Sequence, residues 1–268
     1  LAELFVSTPD TTYQRVRGKV GGPAALLPAT FPALVVTLLG LPPQLAEQID
    51  ANLPAVGVVI DTAPGREPDV VIGVHLRNEG KVSGTEAVSV MLANCDMTAD
   101  EYIAAMKEYL ADAAKKEPIK ARARLMMVGS ALDNPDYVKV IEDKGGLVVA
   151  DALCFGTRAF GEKIVLDDKD VLGSLARYYL ERNTCPRMLD NRPAIHKEIV
   201  DACKKYNVQG VIYEKMQNCE CWGGEAYYLE PALKEIGVPM LQLQREEQMS
   251  NAGQIAIRAE AFVEMIEK

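Results

Sequence analysis

The fold is decided by the stretch from residue 210 to residue 243, which reads GVIYEKMQNCECWGGEAYYLEPALKEIGVPMLQL. Its opening residues, 210–214, form an apolar run that is typical of a buried strand, and residues 226–236 repeat apolar side chains at helical spacing. A second apolar run, 238–243, follows Gly237. A strand, a helix and another strand in this order predict a βαβ unit of a parallel sheet.

The same alternation extends over residues 122–268. Further strands are predicted at 125–130 and 147–153, and further helices at 134–144, 168–182, 193–206 and 252–266. Strands that are almost wholly apolar are typical of a sheet covered on both faces. The predicted fold class is therefore α/β, a parallel sheet with helices on both faces, of the Rossmann-like or flavodoxin-like kind.

A connector helix is predicted just before this domain, at residues 98–121. Thr98 is followed three residues later by Glu101, which is the pattern of a capping box, and apolar residues then recur at helical spacing. The charges of this segment, from Lys107 to Lys116, are expected to form its solvent-facing side.

Residues 1–97 form a shortened N-terminal region to which the patterns assign no single fold. Residues 24–41 are uncharged and apolar and approach the length of a membrane span. Prolines interrupt this run and no aromatic or basic belt flanks it, so a buried helix or short core segments are the better interpretation, and no membrane partner is expected. Buried strands are predicted at 56–60 and 70–74.

The composition limits the kinds of partner and metal site that are expected. The 268 residues carry a formal net charge of -9, which argues against a nucleic-acid partner because such binding needs clustered Lys and Arg. Two histidines are too few for a His-rich zinc or iron site, so a bound metal would depend on the six cysteines, as in an iron-sulfur or thiolate zinc site. Six cysteines without a recognisable leader favour a reducing compartment, and a cytoplasmic location is expected.

Thiols follow the predicted strands at the points where ligands collect in an open α/β sheet. Cys154 ends one strand and Cys219 lies in the turn after another, and Ser130 ends a third. Since parallel strands share one carboxyl edge, these side chains are expected at the same edge. Nearby Arg158 and Arg187 would favour thiolates that bind metal or react.

Other residues have plainer interpretations. Cys203 lies at helical spacing from apolar neighbours and is predicted to be core packing, and His196 is predicted to be a surface residue within a helix. Trp222 is either a packing anchor or a shield beside a metal site. No phosphate-binding glycine loop and no G-x-S-x-G elbow occurs, which argues against a nucleotide site and a hydrolase triad.

Several segments together resemble the benzoyl-CoA reductase and 2-hydroxyacyl-CoA dehydratase family. They are SGTEA (83–87), DALCFGTR (151–158), RNTCPRM (182–188), GVIYEKMQNCECWGGE (210–225) and GVPMLQLQRE (237–246). The similarity covers roughly residues 80 to 268, and the turn at 219–225 is most similar to that of the ring-reductase type of subunit.

The resemblance implies a cluster-bearing subunit of an enzyme that acts on a coenzyme A thioester by one-electron, ketyl radical chemistry. It implies a 4Fe-4S cluster, a related second subunit and an ATP-hydrolysing activator protein. By position Cys219 is the expected cluster ligand with Trp222 near it, and Cys154 and Cys185 are weaker candidates. Glu220 and Glu225 could influence the cluster or deliver protons, although helix N-terminal or solvent-facing roles are the simpler expectation.

One departure leaves alternatives open. The other two cluster ligands of the family lie in N-terminal cysteine segments that have no counterpart here, since the only cysteine before Cys154 is Cys95. The expected function is a benzoyl-CoA reductase-like subunit, and a 2-hydroxyacyl-CoA dehydratase subunit or a cluster-free, non-catalytic partner are the alternatives. A zinc or redox-thiol protein that uses Cys154, Cys185, Cys219 and Cys221 is a further one.

Overall fold

A computed structural model describes residues 76–160, 170–181, 184–188 and 190–267. The helices there are α1 (Gly84–Ala93), α2 (Ala99–Ala113), α3 (Asp136–Glu142), α4 (Val171–Glu181), α5 (Arg192–Lys205), α6 (Glu220–Gly223), α7 (Glu225–Glu235) and α8 (Ala252–Ile266). The strands are β1 (Ala123–Gly129), β2 (Gly146–Leu153), β3 (Gly210–Met216) and β4 (Met240–Arg245). Short 3-10 turns occupy Thr157–Phe160 and Met249–Asn251.

The four strands form one parallel sheet in the order β2-β1-β3-β4. In its central register Met127 of β1 lies beside Asp151 of β2 and Ile212 of β3. This order is that of flavodoxin-like doubly wound sheets, in which the strand order reverses between β1 and β3. The predicted α/β class and its parallel sheet are confirmed.

Helices cover both faces of the sheet, as the apolar strands predict. On one face α1, α2, α3 and α8 pack against alternate strand residues such as Leu125, Met127 and Ile212. On the other face α5 and α7 pack against Met126 and Val211 and their neighbours. Two hydrophobic cores therefore hold the sheet between them.

Several helix ends follow from local chemistry. The predicted capping box of Thr98 and Glu101 begins α2, and Ser83 with Glu86 forms another that begins α1. The side chain of Glu142, at the end of α3, accepts hydrogen bonds from the first backbone N–H groups of α1, so α1 is also capped from a distant element.

The connector segment is helical over Ala99–Ala113 and is more than a link between halves. Its residues Tyr102, Met106 and Leu110 are buried in the first core, while its charged residues, from Lys107 to Lys116, are exposed. The helix is therefore a layer of the domain, and the predicted solvent-facing side is confirmed.

Two element boundaries differ from the prediction in informative ways. Residues 220–223 form the short helix α6 within the segment that was predicted as the turn after β3. Strands β3 and β4 each run two residues further than predicted, to Met216 and Arg245. In β4 the charged Arg245 is accommodated because it pairs with the buried carboxylate of Glu214.

The apolar run at 24–41 and the strands predicted at 56–60 and 70–74 lie outside the described residues. Across the residues that are described, no helix has both the length and the apolar character that a membrane crossing requires.

Candidate functional site

The carboxyl ends of β1, β2 and β3 bring the predicted residues to one edge. Gly129 ends β1 with φ 147, and a Cβ there would lie 1.6 Å from the carbonyl oxygen of Glu214 in β3, so only glycine fits. Beyond it the backbone N–H of Met216 donates to Ser130 Oγ at 3.0 Å. The ends of β1 and β3 are therefore fastened together at the point where the sheet reverses its order.

Cys154 leaves β2 half-buried, and two donors point at its sulfur. The indole Nε1 of Trp222 lies 3.4 Å from Cys154 Sγ and Arg158 Nη1 lies 3.8 Å from it. The guanidinium of Arg158 also lies over the Trp222 ring, 5.8 Å from its centroid. The sulfur of Cys154 is therefore held by two directed donor contacts at the edge of the sheet.

Asp151 fixes the turn that carries Cys154. Its Oδ1 accepts a hydrogen bond of 2.8 Å from the backbone N–H of Thr157, and its Oδ2 lies 2.5 Å from Arg77 Nη1 in a buried ion pair. A Cβ on Gly156 would lie 1.9 Å from Asp151 Oδ1, so the turn closes tightly over the carboxylate. Rigid support of this kind holds the thiol in one place.

Cys219 stands at the N-cap of α6. Asn218 before it adopts a left-handed backbone with φ 64, which is uncommon for a residue with a side chain and redirects the chain out of β3. Cys219 itself is half-buried, and Trp222 after it is 1% exposed in the second core. Tyr213 in β3 donates its hydroxyl to the carbonyl oxygen of Trp222 at 2.5 Å. Trp222 is therefore a packing anchor that also contacts the thiol of Cys154.

Arg187 connects the remaining cysteines of the edge. Its Nε donates to Cys221 Sγ at 3.4 Å. The pKa of Arg187 is raised by this hydrogen bond and by the charges of Cys221, Cys185 and Cys154, so all three thiols lie within electrostatic reach of one guanidinium. Cys221, which the resemblance does not mark as a ligand, is thus part of the edge.

The possible metal ligands of the described residues are few. Within the described residues no three His, Cys, Asp or Glu side chains form a group that could hold a metal ion. Cys203 is no candidate either: it is 2% exposed in the second core, and burial raises its pKa to about 12, which confirms its packing role. Cys95 is exposed after α1.

Glu225 was expected to be a helix N-terminal or solvent-facing carboxylate. It does begin α7, but its side chain is only 7% exposed. Its Oε1 lies 2.7 Å from His196 Nε2 and its Oε2 lies 3.2 Å from Arg192 Nε. The solvent-facing alternative is wrong for Glu225, because its carboxylate is buried against α5. His196 is partly exposed, with 17% of its side chain accessible, so it lies at the surface while one ring nitrogen contacts Glu225. Glu220, at the start of α6, is exposed.

A further buried carboxylate went unnoticed in the sequence. Glu214 is 3% exposed near the end of β3 and pairs through Oε1 with Nε of Arg245, which is 1% exposed in β4. Its Oε2 has no partner within the described residues, and burial raises its pKa to about 7 despite the nearby guanidinium. A charged residue inside an apolar strand, on each of two adjacent strands, was the available signal.

The family model and the two relatives that match this chain are all described as dehydratase components or subunits. A family model described as 2-hydroxyglutaryl-CoA dehydratase, D-component, matches residues 74–266. YjiM of Escherichia coli (strain K12), which is named a dehydratase subunit, is 28% identical over 149 residues, covering 54% of this chain and 38% of YjiM. The (R)-phenyllactyl-CoA dehydratase beta subunit of Clostridium sporogenes is 20% identical over 189 residues, covering 70% of this chain and 50% of that subunit.

The chain thus spans half or less of the length of these two relatives. The family match runs from just before α1 to the end of α8 and includes every strand of the sheet and every cysteine from Cys95 onward. Since this is well over half of the chain, the protein belongs to the family of the 2-hydroxyglutaryl-CoA dehydratase D-component.

Proposed function

We propose that this chain is part of a subunit of a 2-hydroxyacyl-CoA dehydratase-type enzyme, and that the carboxyl edge of its sheet faces the acyl-CoA substrate. The observation that carries the proposal is the placement of thiols with adjacent cations at the carboxyl edge: Cys154 contacts Arg158, Cys221 contacts Arg187, and Cys219 lies in the same turn as Cys221. Membership of the dehydratase family and the name of the Clostridium relative support the substrate class.

The charges of the edge suit such a substrate. Removing a hydroxyl group next to a thioester requires stabilisation of negative charge on the thioester oxygen, and fixed positive groups supply it most effectively in a site with little water. Arg158 and Arg187 are the cations placed among the thiols. The buried side chain of Trp222 lies between this edge and the second hydrophobic core, in which it packs.

A 4Fe-4S cluster, implied by the resemblance, fits the described residues only in part. Thiolates are the right donors for iron, and Cys219 at a helix N-cap is the candidate ligand. However, the described residues lack three metal-binding groups in reach of one ion, so they do not form a complete cluster site. Cys219 remains a proposed ligand, as do Cys154 and Cys185, and the roles of the arginines do not depend on a cluster.

The proposed partners follow from the same family. A related second subunit would complete the catalytic module, and an ATP-hydrolysing activator protein would supply electrons. A benzoyl-CoA reductase-like activity and a cluster-free, non-catalytic partner subunit are the competing functions, and they differ in substrate and iron content.

The decisive experiment is anaerobic co-expression of the chain with its candidate second subunit, followed by assays with the activator protein, ATP and either an (R)-2-hydroxyacyl-CoA or benzoyl-CoA. Dehydration of the hydroxyacyl thioester, lost in Cys219→Ala and kept in the matched control Cys95→Ala, is the expected result. Reduction of benzoyl-CoA instead would favour the reductase. An inactive complex without iron or sulfide would favour the non-catalytic partner.

A zinc or redox-thiol protein is the second candidate, because Arg187 Nε donates to Cys221 Sγ and Cys219 lies in the same turn as Cys221. Stoichiometric zinc that survives exposure to air would support it. Iron detected by electron paramagnetic resonance after reduction, and lost in Cys219→Ala, would exclude it.

A further inference from the structure

A cluster of three polar side chains, Arg192, His196 and Glu225, lies at the carboxyl edge apart from the thiols. On α5, Arg192 and His196 are four residues apart and so project from the same side of the helix, and both contact Glu225 at the start of α7. The Glu225 side chain is 7% exposed and uses one oxygen for each partner. The guanidinium of Arg192 is held in turn by the ring of Tyr228, 3.7 Å from its centroid.

This contact sets the state of the imidazole. A carboxylate oxygen 2.7 Å from His196 Nε2 requires a proton on Nε2, so Nδ1 is the nitrogen that is left to exchange a proton. Nδ1 has no hydrogen-bond partner in the part of the chain that the structure describes, and it does not belong to the buried unpaired atoms there. One ring nitrogen is thus anchored on a buried carboxylate while the other reaches solvent.

Glu225 begins α7 immediately after α6, the short helix that Cys219 caps. Burial raises the pKa of the Tyr213 hydroxyl, and the charges of Glu225 and Cys219 raise it further, so both groups lie close to that one hydroxyl. Tyr213 also bonds the carbonyl oxygen of Trp222, in the helix that Cys219 caps. His196 is therefore at the edge where the proposed function puts the substrate.

We propose that His196 is the proton-transfer residue of this edge and that Glu225 is its positioning residue. The inference rests on the proposed function. In a 2-hydroxyacyl-CoA dehydration the bond between C2 and oxygen breaks with its electron pair on oxygen, the proton on His196 Nδ1 moves to that oxygen, and water leaves, while the electron pair of the broken C3–H bond forms the double bond between C2 and C3. The proton lost from C3 restores the imidazolium, so the atoms balance and the overall reaction is redox-neutral.

The arrangement has the parts of an oriented acid–base pair. In such pairs a buried carboxylate fixes the tautomer and direction of the imidazole and stabilises its protonated form. Arg192 holds the second carboxylate oxygen, so Glu225 cannot rotate away from His196. If His196 only linked α5 to α7, it would need the hydrogen bond to Glu225 but not a second ring nitrogen. The structural role and the proton-transfer role can therefore be tested separately.

The test uses the anaerobic two-subunit complex with activator, ATP and an (R)-2-hydroxyacyl-CoA. His196→Gln keeps an N–H for Glu225 but has no second ring nitrogen. Lys197→Gln, at the next residue of α5, where the side chain is 76% exposed and contacts neither Glu225 nor His196, is the matched control. We expect His196→Gln to lower kcat by about 100-fold or more, with KM changed by less than about threefold and the thermal midpoint nearly unchanged. The limb of the pH profile that reports the acid should vanish in this variant.

A second readout is independent of activity. The chain has two histidines, so nitrogen-15 spectra of selectively labelled protein resolve His196 by comparison with His196→Gln. We expect a single Nε2–H tautomer in the wild type and a mixture of tautomers in Glu225→Leu, which has no acceptor for that proton. An Nδ1–H tautomer, or an active complex in which His196→Gln retains the wild-type kcat and pH profile, would overturn the inference alone. A wild-type complex that dehydrates no hydroxyacyl thioester would overturn the proposed function.

Discussion

Replacing Glu214 with glutamine should change how the stability of the sheet depends on pH. The carboxyl group is buried between β3 and β4, and its pKa is raised from 4.5 to about 7. In that interval the folded chain holds a proton that the unfolded chain has released, so the proton stabilises the folded state below about pH 4.5 and this stabilisation is lost as the pH rises through 7. At about 1.4 kcal/mol for each pKa unit, the loss is about 3 kcal/mol.

The glutamine variant has no such proton but keeps an oxygen that can accept from Arg245 Nε. The difference in unfolding free energy between the wild type and Glu214→Gln should therefore shift by about 3 kcal/mol between about pH 5 and about pH 8, with the variant gaining relative to the wild type at the higher pH. Any constant offset from the altered contact cancels in this comparison. Contributions from other titrating groups cancel as well.

The assay is urea unfolding at several pH values, followed by far-UV circular dichroism. Glu108→Gln, at an exposed position on α2, is the control and should follow the wild-type pH dependence. If the curves for the wild type and Glu214→Gln run parallel from about pH 5 to about pH 8, the carboxyl group titrates normally and the argument from burial is refuted.

Three further predictions concern the core and the edge. Gly129→Ala should destabilise the domain by about 3 kcal/mol or more in urea unfolding, because its Cβ would overlap a β3 carbonyl, whereas Gly253→Ala in α8, with no atom within 4 Å of the added Cβ, should be neutral or slightly stabilising. Asn218→Val should lower the thermal midpoint, at a cost of about 1–2 kcal/mol for a β-branched residue at φ 64, while Asn218→Gly should not. In native protein Cys95 should react with a thiol reagent at once and Cys203, whose pKa burial raises to about 12, only after unfolding, as mass spectrometry would show.

Much of the fold could be predicted because its signals are local. The α8 bounds of Ala252–Ile266 agree with the predicted helix, and the four strands were found from short apolar runs between Gly, Pro and Asn residues. The common carboxyl edge then followed from parallel pairing alone. The strand order could not be predicted in this way, because no residue pattern encodes on which side of β1 the chain places β2 and β3.

The missed parts of the site are contacts between residues far apart in the chain. Glu225 looks like a helix N-terminal acid until α5 places His196 and Arg192 against it, 29 and 33 residues away. Arg187 and Cys221 are likewise 34 residues apart. Sequence patterns report burial and local structure, whereas the partner of a buried charge depends on how the helices pack.

The single tryptophan has a practical consequence. The buried indole of Trp222 donates to the sulfur of Cys154, and its carbonyl oxygen accepts from Tyr213. Indole emission responds to quenching by a neighbouring sulfur and to local polarity, so the fluorescence of this protein reports on one spot, the carboxyl edge of the sheet. Alkylation, oxidation or metal binding at Cys154 would change that emission, so the chain carries its own optical probe of the proposed reaction centre.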